Sequence, residues 1–133
     1  MPERRVLVVE DNEQNLELVT YLLEEGGWQV DAARDAGAFE ARLVQAPPVV
    51  VLMDMHLPGN DGLGLVAELR ANPSWRSVPV IALTAHAMRG DRERFIAGGC
   101  DDYIPKPIDT ARFAEQVEQI ISRALAPRRA GGS

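Results

Sequence analysis

Residues 49–54 read VVVLMD, and this stretch decides the fold because an unbroken apolar run ends there at a carboxylate. A short run without polar alternation is typical of a strand that is covered on both faces of a parallel sheet. Further strand-like runs lie on both sides of it along the chain. They are VLVV at 6–9, WQVDAA at 28–33, VPVIAL at 78–83 and DYIP at 102–105. The alternation in WQVDAA favours a position near the edge of the sheet.

Amphipathic segments separate these runs and predict helices. The ranges are about 13–25, a second helix that carries Phe39 and Leu43 on its inner side, 62–71, 90–97 and 110–125. Either Asp109 or Thr110 is the expected N-cap of the last helix. Strands that alternate with helices predict a parallel sheet with helices on both faces, which is a doubly wound α/β domain. We expect this domain to span residues 1–126, followed by a frayed or disordered tail, PRRAGGS, at 127–133.

The composition narrows the class of function. The chain has 133 residues, 46% hydrophobic content and a net charge of −6. This acidic balance argues against a direct nucleic-acid partner, because such a protein presents a basic face to the phosphates. A lone cysteine, Cys100, excludes an internal disulfide and is expected to be a small buried residue. No segment is long enough for a signal peptide or a membrane span, so we expect a cytoplasmic protein without membrane insertion.

Chemically active side chains follow the predicted strands. Glu10 and Asp11 follow the first strand, Asp54 the third, Thr84 the fourth and Lys106 the fifth. Each alone has a structural explanation as a helix cap, a turn residue or a surface lysine. Together, however, close carboxylates repel by about 4 kcal/mol per pair at an effective dielectric constant of about 20. An open cluster of carboxylate oxygens is typical of a Mg²⁺ site that also takes phosphate oxygens.

Lys106 is the only lysine in the chain, since the other 13 of the 14 basic residues are arginine. It lies between Pro105 and Pro107, which restrict the loop and lower the entropy lost in placing the amine. A compact ammonium on a flexible stem can reach a phosphate where the planar fork of arginine would fit differently. The position of the lysine therefore indicates a functional role.

Four motifs carry a resemblance to a known family. VLVVEDN, LMDMHLPGNDG, ALTAH and YIPKP occur in the order and spacing of the receiver domains of two-component response regulators, and the likeness covers about residues 4–125. The later segment resembles the receivers of hybrid kinases and stand-alone cell-cycle receivers. The resemblance implies a flavodoxin-like (βα)5 domain with strand order 2-1-3-4-5.

The resemblance implies an acceptor and a metal site. Asp54 matches the phosphoacceptor, whose carboxylate attacks a phosphoryl group and becomes an acyl phosphate. Glu10 and Asp11 match the acidic pair that holds Mg²⁺, or Mn²⁺, together with Asp54. The backbone carbonyl of His56 would supply a further metal ligand.

The resemblance also implies a switch. Thr84 matches the hydroxyl that moves to the phosphoryl group, and Tyr103 matches the aromatic residue that rotates with it. Lys106 matches the lysine that pairs with a phosphoryl oxygen, and the Lys106-Pro107 bond is expected to be cis. The signal would pass through the fourth helix, the fifth strand and the last helix to a downstream protein target.

The expected partner upstream is a histidine kinase or a histidine phosphotransfer protein. Gln14, Asn15 and Leu18 on the first helix, with Pro107 in the loop beyond the fifth strand, are the candidate contacts. His56 and His86 would flank the mouth of the site. One interpretation is that each is an ordinary exposed loop residue; our hypothesis is that they set the lifetime of the phosphorylated form. An unperturbed imidazole titrates near 6.5, so that lifetime could depend on pH.

The resemblance implies a signalling switch that catalyses only its own phosphotransfer and a slow autodephosphorylation. The initial Met and the polar tail favour a stand-alone response regulator without an output domain, although a fragment of a hybrid kinase or larger regulator would look similar. A Mg²⁺-dependent aspartyl phosphatase is the enzymatic alternative, but it would carry a second aspartate where this chain has His56. A nucleotide or flavin binder is disfavoured, since neither a dinucleotide fingerprint nor a GxxxxGK loop occurs.

Overall fold

The computed structural model describes residues 4–85 and 90–126. Within these ranges the chain forms one parallel sheet, whose strand bounds confirm the predicted runs to within two residues. The strands are β1 (Arg5–Val9), β2 (Gln29–Ala33), β3 (Val50–Asp54), β4 (Val80–Thr84) and β5 (Asp102–Pro105). Both Asp54 and Thr84 are the last residues of their strands rather than the first residues after them.

Helices connect successive strands and follow β5. They are α1 (Glu13–Glu25), α2 (Ala36–Arg42), α3 (Gly62–Ala71), α4 (Asp91–Ala97) and α5 (Phe113–Leu125). The predicted bounds of α1 and α3 are confirmed at both ends. No helix in the described ranges combines the length and apolarity that crossing a membrane requires.

The strand order is β2-β1-β3-β4-β5, which confirms the predicted order 2-1-3-4-5. After β1 the chain runs outward to β2 at one edge, then crosses back so that β3 pairs with the other side of β1. The carboxyl ends of β1 and β3 are therefore neighbours at the point where the winding reverses, which is where ligands bind in such sheets.

Two apolar layers cover the sheet, one on each face. One layer joins β-strand side chains such as Val51 and Met53 to Phe39 of α2, Leu69 of α3 and Phe95 of α4. The opposite layer joins the alternate strand residues to α1 and α5. Its helical members are Val19, Leu23, Phe113, Val117, Ile120 and Ile121. The strands of the middle of the sheet are therefore buried on both faces, as the run at 49–54 predicts.

Local signals explain where α1 begins and ends. The side chain of Asn12 accepts a hydrogen bond from the backbone N–H of Asn15 at 2.9 Å, which satisfies one of the free donors of the first turn. The helix ends at Gly26, and Gly27 follows with φ of +91°, a left-handed conformation that favours glycine.

The predicted cap of the last helix is wrong. The regular helix begins at Phe113, its N-cap is Arg112, and no side chain caps it. The Asp109 side chain instead accepts from the N–H of Ala111 at 3.1 Å, and the Asp109 carbonyl accepts from the N–H of Arg112 at 3.1 Å. Asp109 therefore closes a separate turn before the helix, since short acidic side chains bond their own backbone two residues on.

Arg70 of α3 fastens the far end of α4 to the sheet. Its Nε and Nη2 donate to the Gly99 carbonyl at 2.9 and 2.6 Å, and its Nη1 donates to the carbonyls of Arg76 at 2.8 Å and Val78 at 2.7 Å. Nη2 also contacts the Asp101 carboxylate at 3.0 Å. The N-cap of α4 is Gly90, and no side chain of the described residues forms a cap hydrogen bond there.

Cys100 is buried, as expected for a small apolar side chain. Burial raises the pKa of its thiol to about 12, so the thiol is uncharged and inert at neutral pH.

Candidate functional site

Three carboxylates meet at the carboxyl edge of the sheet. Glu10 directly follows β1, Asp11 comes next, and Asp54 ends β3. One oxygen from each lies within 4.8 Å of the others. Glu10 and Asp54 are buried, whereas Asp11 is exposed. The cluster thus has a buried floor and one side open to solvent.

Backbone contacts hold this floor in place. The N–H of Glu10 donates to the Ala33 carbonyl at 3.1 Å, and the N–H of Met55 donates to the Leu83 carbonyl at 3.0 Å. The N–H of His56 donates to Oδ1 of Asp54 at 3.0 Å, which orients that carboxylate. Backbone hydrogen bonds at the strand ends therefore position both buried acids.

Lys106 reaches the same point from β5. Its backbone N–H donates to the Thr84 carbonyl at 2.7 Å, so the loop after β5 is fastened to the end of β4. Its Nζ lies 3.0 Å from Oε1 of Glu10 and 3.5 Å from Oδ1 of Asp54. The Lys106-Pro107 bond is cis, as predicted. One ammonium group therefore partly neutralises two buried carboxylates.

The pKa of the Glu10 carboxyl is raised above its usual value. Burial raises the pKa of Glu10 to about 6, and the nearby Asp54 carboxylate adds to the rise. The ion pair with Lys106 and the N–H of Asn12 oppose that rise without cancelling it. Buried Oε1 of Glu10 accepts no hydrogen bond from the described residues, although Lys106 faces it as an ionic partner.

This donor set fits a hard divalent cation. All the side-chain donors are carboxylate oxygens, one of them on the exposed Asp11, and excess negative charge remains after the single lysine is counted. Mg²⁺ prefers such oxygens while keeping several water ligands. Glu10, Asp11 and Asp54 can therefore hold Mg²⁺.

Thr84 and His56 lie against each other beside the carboxylates. Thr84 is buried at the end of β4, and Nε2 of His56 lies 3.3 Å from its Oγ1. The sequence predicts that both residues flank the site but does not predict this contact. The adjacency of β3 and β4 creates it, because Asp54 pairs with Leu83 in register. His86, the second predicted lifetime residue, lies outside the described residues.

Tyr103 lies on β5, and its ring approaches Phe95 of α4. It is half-buried, and its ring is 6.1 Å from that of Phe95 with an angle of 59° between the planes. Phe95 is buried and is the helix's anchor to the core. A rotation of the Tyr103 ring would therefore change its contact with Phe95 and so alter the packing of α4.

The predicted partner contacts are accessible. Gln14 and Pro107 are exposed, and Asn15 and Leu18 are half-buried. Gln14, Asn15 and Leu18 lie on α1, which starts just after the acidic pair, and Pro107 adjoins Lys106. The structure thus places them on elements that border the site.

The chain matches a known protein family over most of its length. The family model described as the response regulator receiver domain matches residues 6–118. The polar-differentiation response regulator DivK of Brucella anthropi is 38% identical over 121 residues, which cover 91% of this chain and 98% of DivK.

Solved structures agree with this match. The receiver domain of a sensor histidine kinase from Pseudomonas aeruginosa PAO1 is 34% identical, with a TM-score of 0.77 over 95% of this chain and 100% of that one. That structure holds a magnesium ion coordinated in its active site cleft. The chemotaxis response regulator CheY4 of Vibrio cholerae, 21% identical with a TM-score of 0.83 over 90% of this chain and 99% of its own, supports the fold alone.

Proposed function

We propose a mechanism for this chain from one premise: it belongs to the response regulator receiver domain family and is a receiver of two-component signalling. In this mechanism Asp54 is the phosphoacceptor. A carboxylate oxygen of Asp54 attacks the phosphorus of a phosphohistidine in line, the bond from phosphorus to the histidine nitrogen breaks, and an aspartyl phosphate forms. The nitrogen leaves with its electron pair and takes a proton from solvent.

Glu10, Asp11 and Asp54, with the backbone carbonyl of His56, would hold Mg²⁺. The bound cation supplies charge neutralisation for the incoming phosphoryl oxygens. Mn²⁺ would be accepted by the same oxygen set, since it shares the preference for carboxylates and water. Asp11, the exposed member, is the residue through which the cation would remain in contact with solvent.

Lys106 and Thr84 would respond to the phosphoryl group. The Nζ of Lys106 already lies 3.5 Å from Oδ1 of Asp54, so a short movement of its stem brings it to a phosphoryl oxygen. The hydroxyl of Thr84 would leave its contact with His56 and donate to another phosphoryl oxygen. Tyr103 would turn into the space that Thr84 vacates and carry the change to α4 through Phe95.

The phosphodonor would be a histidine kinase or a histidine phosphotransfer protein that docks on Gln14, Asn15, Leu18 and Pro107. These residues border the entrance to Asp54, so a donor histidine held there could reach the acceptor. A downstream protein target in the cytoplasm would bind the face formed by α4, β5 and α5 and so receive the signal. The match to DivK over 98% of its length supports a receiver that acts without an output domain.

His56 and His86 would set the lifetime of the aspartyl phosphate. For His56 the support is its position: it is exposed, two residues after Asp54, and in contact with Thr84. In this proposal its side chain would border the path by which hydrolytic water reaches the phosphorus.

The observation that carries the proposal is the convergence of the three carboxylates and Lys106 at one sheet edge. Its test is the intact mass after incubation with Mg²⁺ and a small-molecule phosphodonor, beside the Asp54→Asn variant. We expect the native chain to gain one phosphoryl group, and the variant or a sample with chelator to gain none. Equal gain in Asp54→Asn would exclude Asp54 as the acceptor.

A further inference from the structure

A groove lies between α1 and β2, on the flank of the sheet away from β5. Its volume is about 420 Å³. Leu16 and Thr20 of α1 form one wall, and Val30 and Ala32 of β2 form the other. All four are half-buried, so part of their apolar surface remains in contact with water.

An acidic stripe borders this groove. Glu13, Glu17 and Glu24 of α1 line it, and their spacing places them on one side of the helix. Arg34, from the end of β2, approaches Glu13 only to 4.0 Å. Glu17 and Glu24 form no ion pair with any other residue in the described ranges. The stripe therefore keeps a net negative charge that a partner could neutralise.

Tyr21 stands at the rim of the groove. It is 61% exposed and is the most exposed aromatic side chain in the described ranges. Exposed tyrosines combine a large apolar face with a polar tip, which is why they are enriched at the centres of protein interfaces. No described aromatic residue packs against the Tyr21 ring, so it is available to a partner.

The outer edge of β2 is partly blocked against pairing with another strand. Residues 29 and 33 bond to the chain of β1, so the backbone groups of Val30 and Ala32 point outward from the sheet. Arg42 covers this edge: its Nη2 donates to the Ala32 carbonyl at 3.0 Å while its Nε holds the Asp31 carboxylate at 2.7 Å. Strand addition would have to displace this pair. The groove is therefore suited to side chains from a helix.

We propose that the α1–β2 groove docks a basic amphipathic helix of a partner protein. Apolar side chains of that helix would enter between Leu16 and Val30 and pack on Tyr21, while its arginines or lysines would face the acidic stripe. The groove lies on the β2 side of α1, and its rim residue Tyr21 borders the predicted phosphodonor contact Leu18, which lies three residues before it. Charge complementarity selects this occupant over an acidic one.

The test uses the full chain and a synthetic helical peptide of about 15 leucine and arginine residues in amphipathic order. A peptide with glutamate in place of arginine is the matched probe. Amide chemical-shift changes measured by NMR should centre on α1 and β2 for the basic peptide and be absent for the acidic one.

Variants distinguish the groove from general attraction to an acidic protein. Glu17→Arg should weaken binding about fivefold, because an attractive pair becomes repulsive. Glu25→Arg makes the same change in net charge on an exposed residue of α1 that does not line the groove, and should alter affinity less than about twofold. Tyr21→Ala should weaken binding about tenfold.

Equal weakening by Glu17→Arg and Glu25→Arg, or shift changes centred elsewhere, would overturn the proposal, as would a failure of the basic peptide to bind. Phosphoryl uptake by each variant, read from intact mass, reports that it is folded. Neither Glu17 nor Tyr21 belongs to the phosphorylation site. Loss of phosphoryl uptake in Asp54→Asn therefore bears only on the proposed function. Peptide binding should persist in that variant.

Discussion

The ammonium nitrogen of Lys106 lies 3.0 Å from Oε1 of Glu10, although the two residues come from opposite ends of the chain. This ion pair places the positive charge among the carboxylates that would hold Mg²⁺. Lysine and metal would therefore act on the same carboxylate, and the strength of metal binding should depend on the lysine.

Replacement of Lys106 by methionine should strengthen Mg²⁺ binding about tenfold, or about 1.4 kcal/mol, because the metal no longer competes with a neighbouring cation. Calorimetric titration near pH 8 would measure the affinity. Lys106→Arg keeps the charge and should stay close to the native value. Unchanged affinity in Lys106→Met would show that the lysine does not oppose the metal.

The raised pKa of Glu10 makes stability depend on pH. The folded protein holds this proton up to about pH 6, whereas the unfolded chain releases it near 4.5. Between these values the folded state binds more protons, so the stabilisation is complete below the lower value and is lost as pH rises through the upper one. The loss should be on the order of 2 kcal/mol.

Urea unfolding with a chelator, followed by tryptophan fluorescence, would measure this change. The variant Glu10→Gln should lack the fall in unfolding free energy across this interval and should bind Mg²⁺ poorly. Glu17→Gln, an exposed carboxylate on α1, should behave as the native protein does. A native-like pH profile in Glu10→Gln would assign the titration to another group.

Removal of the His56 side chain should shorten the life of the aspartyl phosphate. His56→Ala opens the mouth of the site to water and frees Thr84 from its 3.3 Å contact, so we expect decay to be about threefold faster. Loss of the phosphorylated mass over time gives the rate. If the double exchange of His56 and His86 to alanine leaves the decay rate and its pH profile unchanged, the lifetime role is wrong.

Loss of the Arg70 side chain should lower the free energy of unfolding far more than loss of an exposed arginine. Arg70→Met leaves the carbonyls of Gly99 and Val78 without their donors and should lower the unfolding free energy by about 3 kcal/mol. Arg34→Met, whose ion pair is exposed and 4.0 Å long, should change it by less than about 0.5 kcal/mol. Urea unfolding of both variants would measure the two changes in unfolding free energy. Equal losses would contradict a stabilising role for the Arg70 contacts that join α3 to the end of α4.

Two glycines of α3 should respond in opposite ways to alanine. A Cβ on Gly62 would lie 2.8 Å from Cα of Met55, so Gly62→Ala must shift the backbone beside Asp54 and should destabilise by about 2 kcal/mol. A Cβ on Gly64 meets nothing within 4 Å, and Gly64→Ala should stabilise the helix by about 0.5–1 kcal/mol. Thermal unfolding would distinguish them, and a stabilised Gly62→Ala would show that the contact relaxes freely.

Much of this architecture is determined by the sequence itself. The apolar runs at 6–9 and 49–53, the periodicity of 13–25 and 62–71, and the paired glycines at 26–27 specify elements through residues that are close along the chain. The site's composition is equally local in origin, since each acid, hydroxyl or amine directly ends or follows a strand. Parallel strands present those ends at one edge, so their convergence could be predicted without coordinates.

Only the tertiary structure decided which groups touch. The 3.0 Å pairing of Lys106 with Glu10, the contact of His56 with Thr84, and the five contacts of Arg70 join residues from different strands and helices. Such contacts depend on strand register, side-chain rotamers and the space left by packing, none of which has a period along the chain. The predicted cap at Asp109 was wrong for a related reason. The Asp109 side chain could accept a hydrogen bond either as the cap of α5 or within a separate turn, and the packing of Phe113 and Ile108 favours the turn.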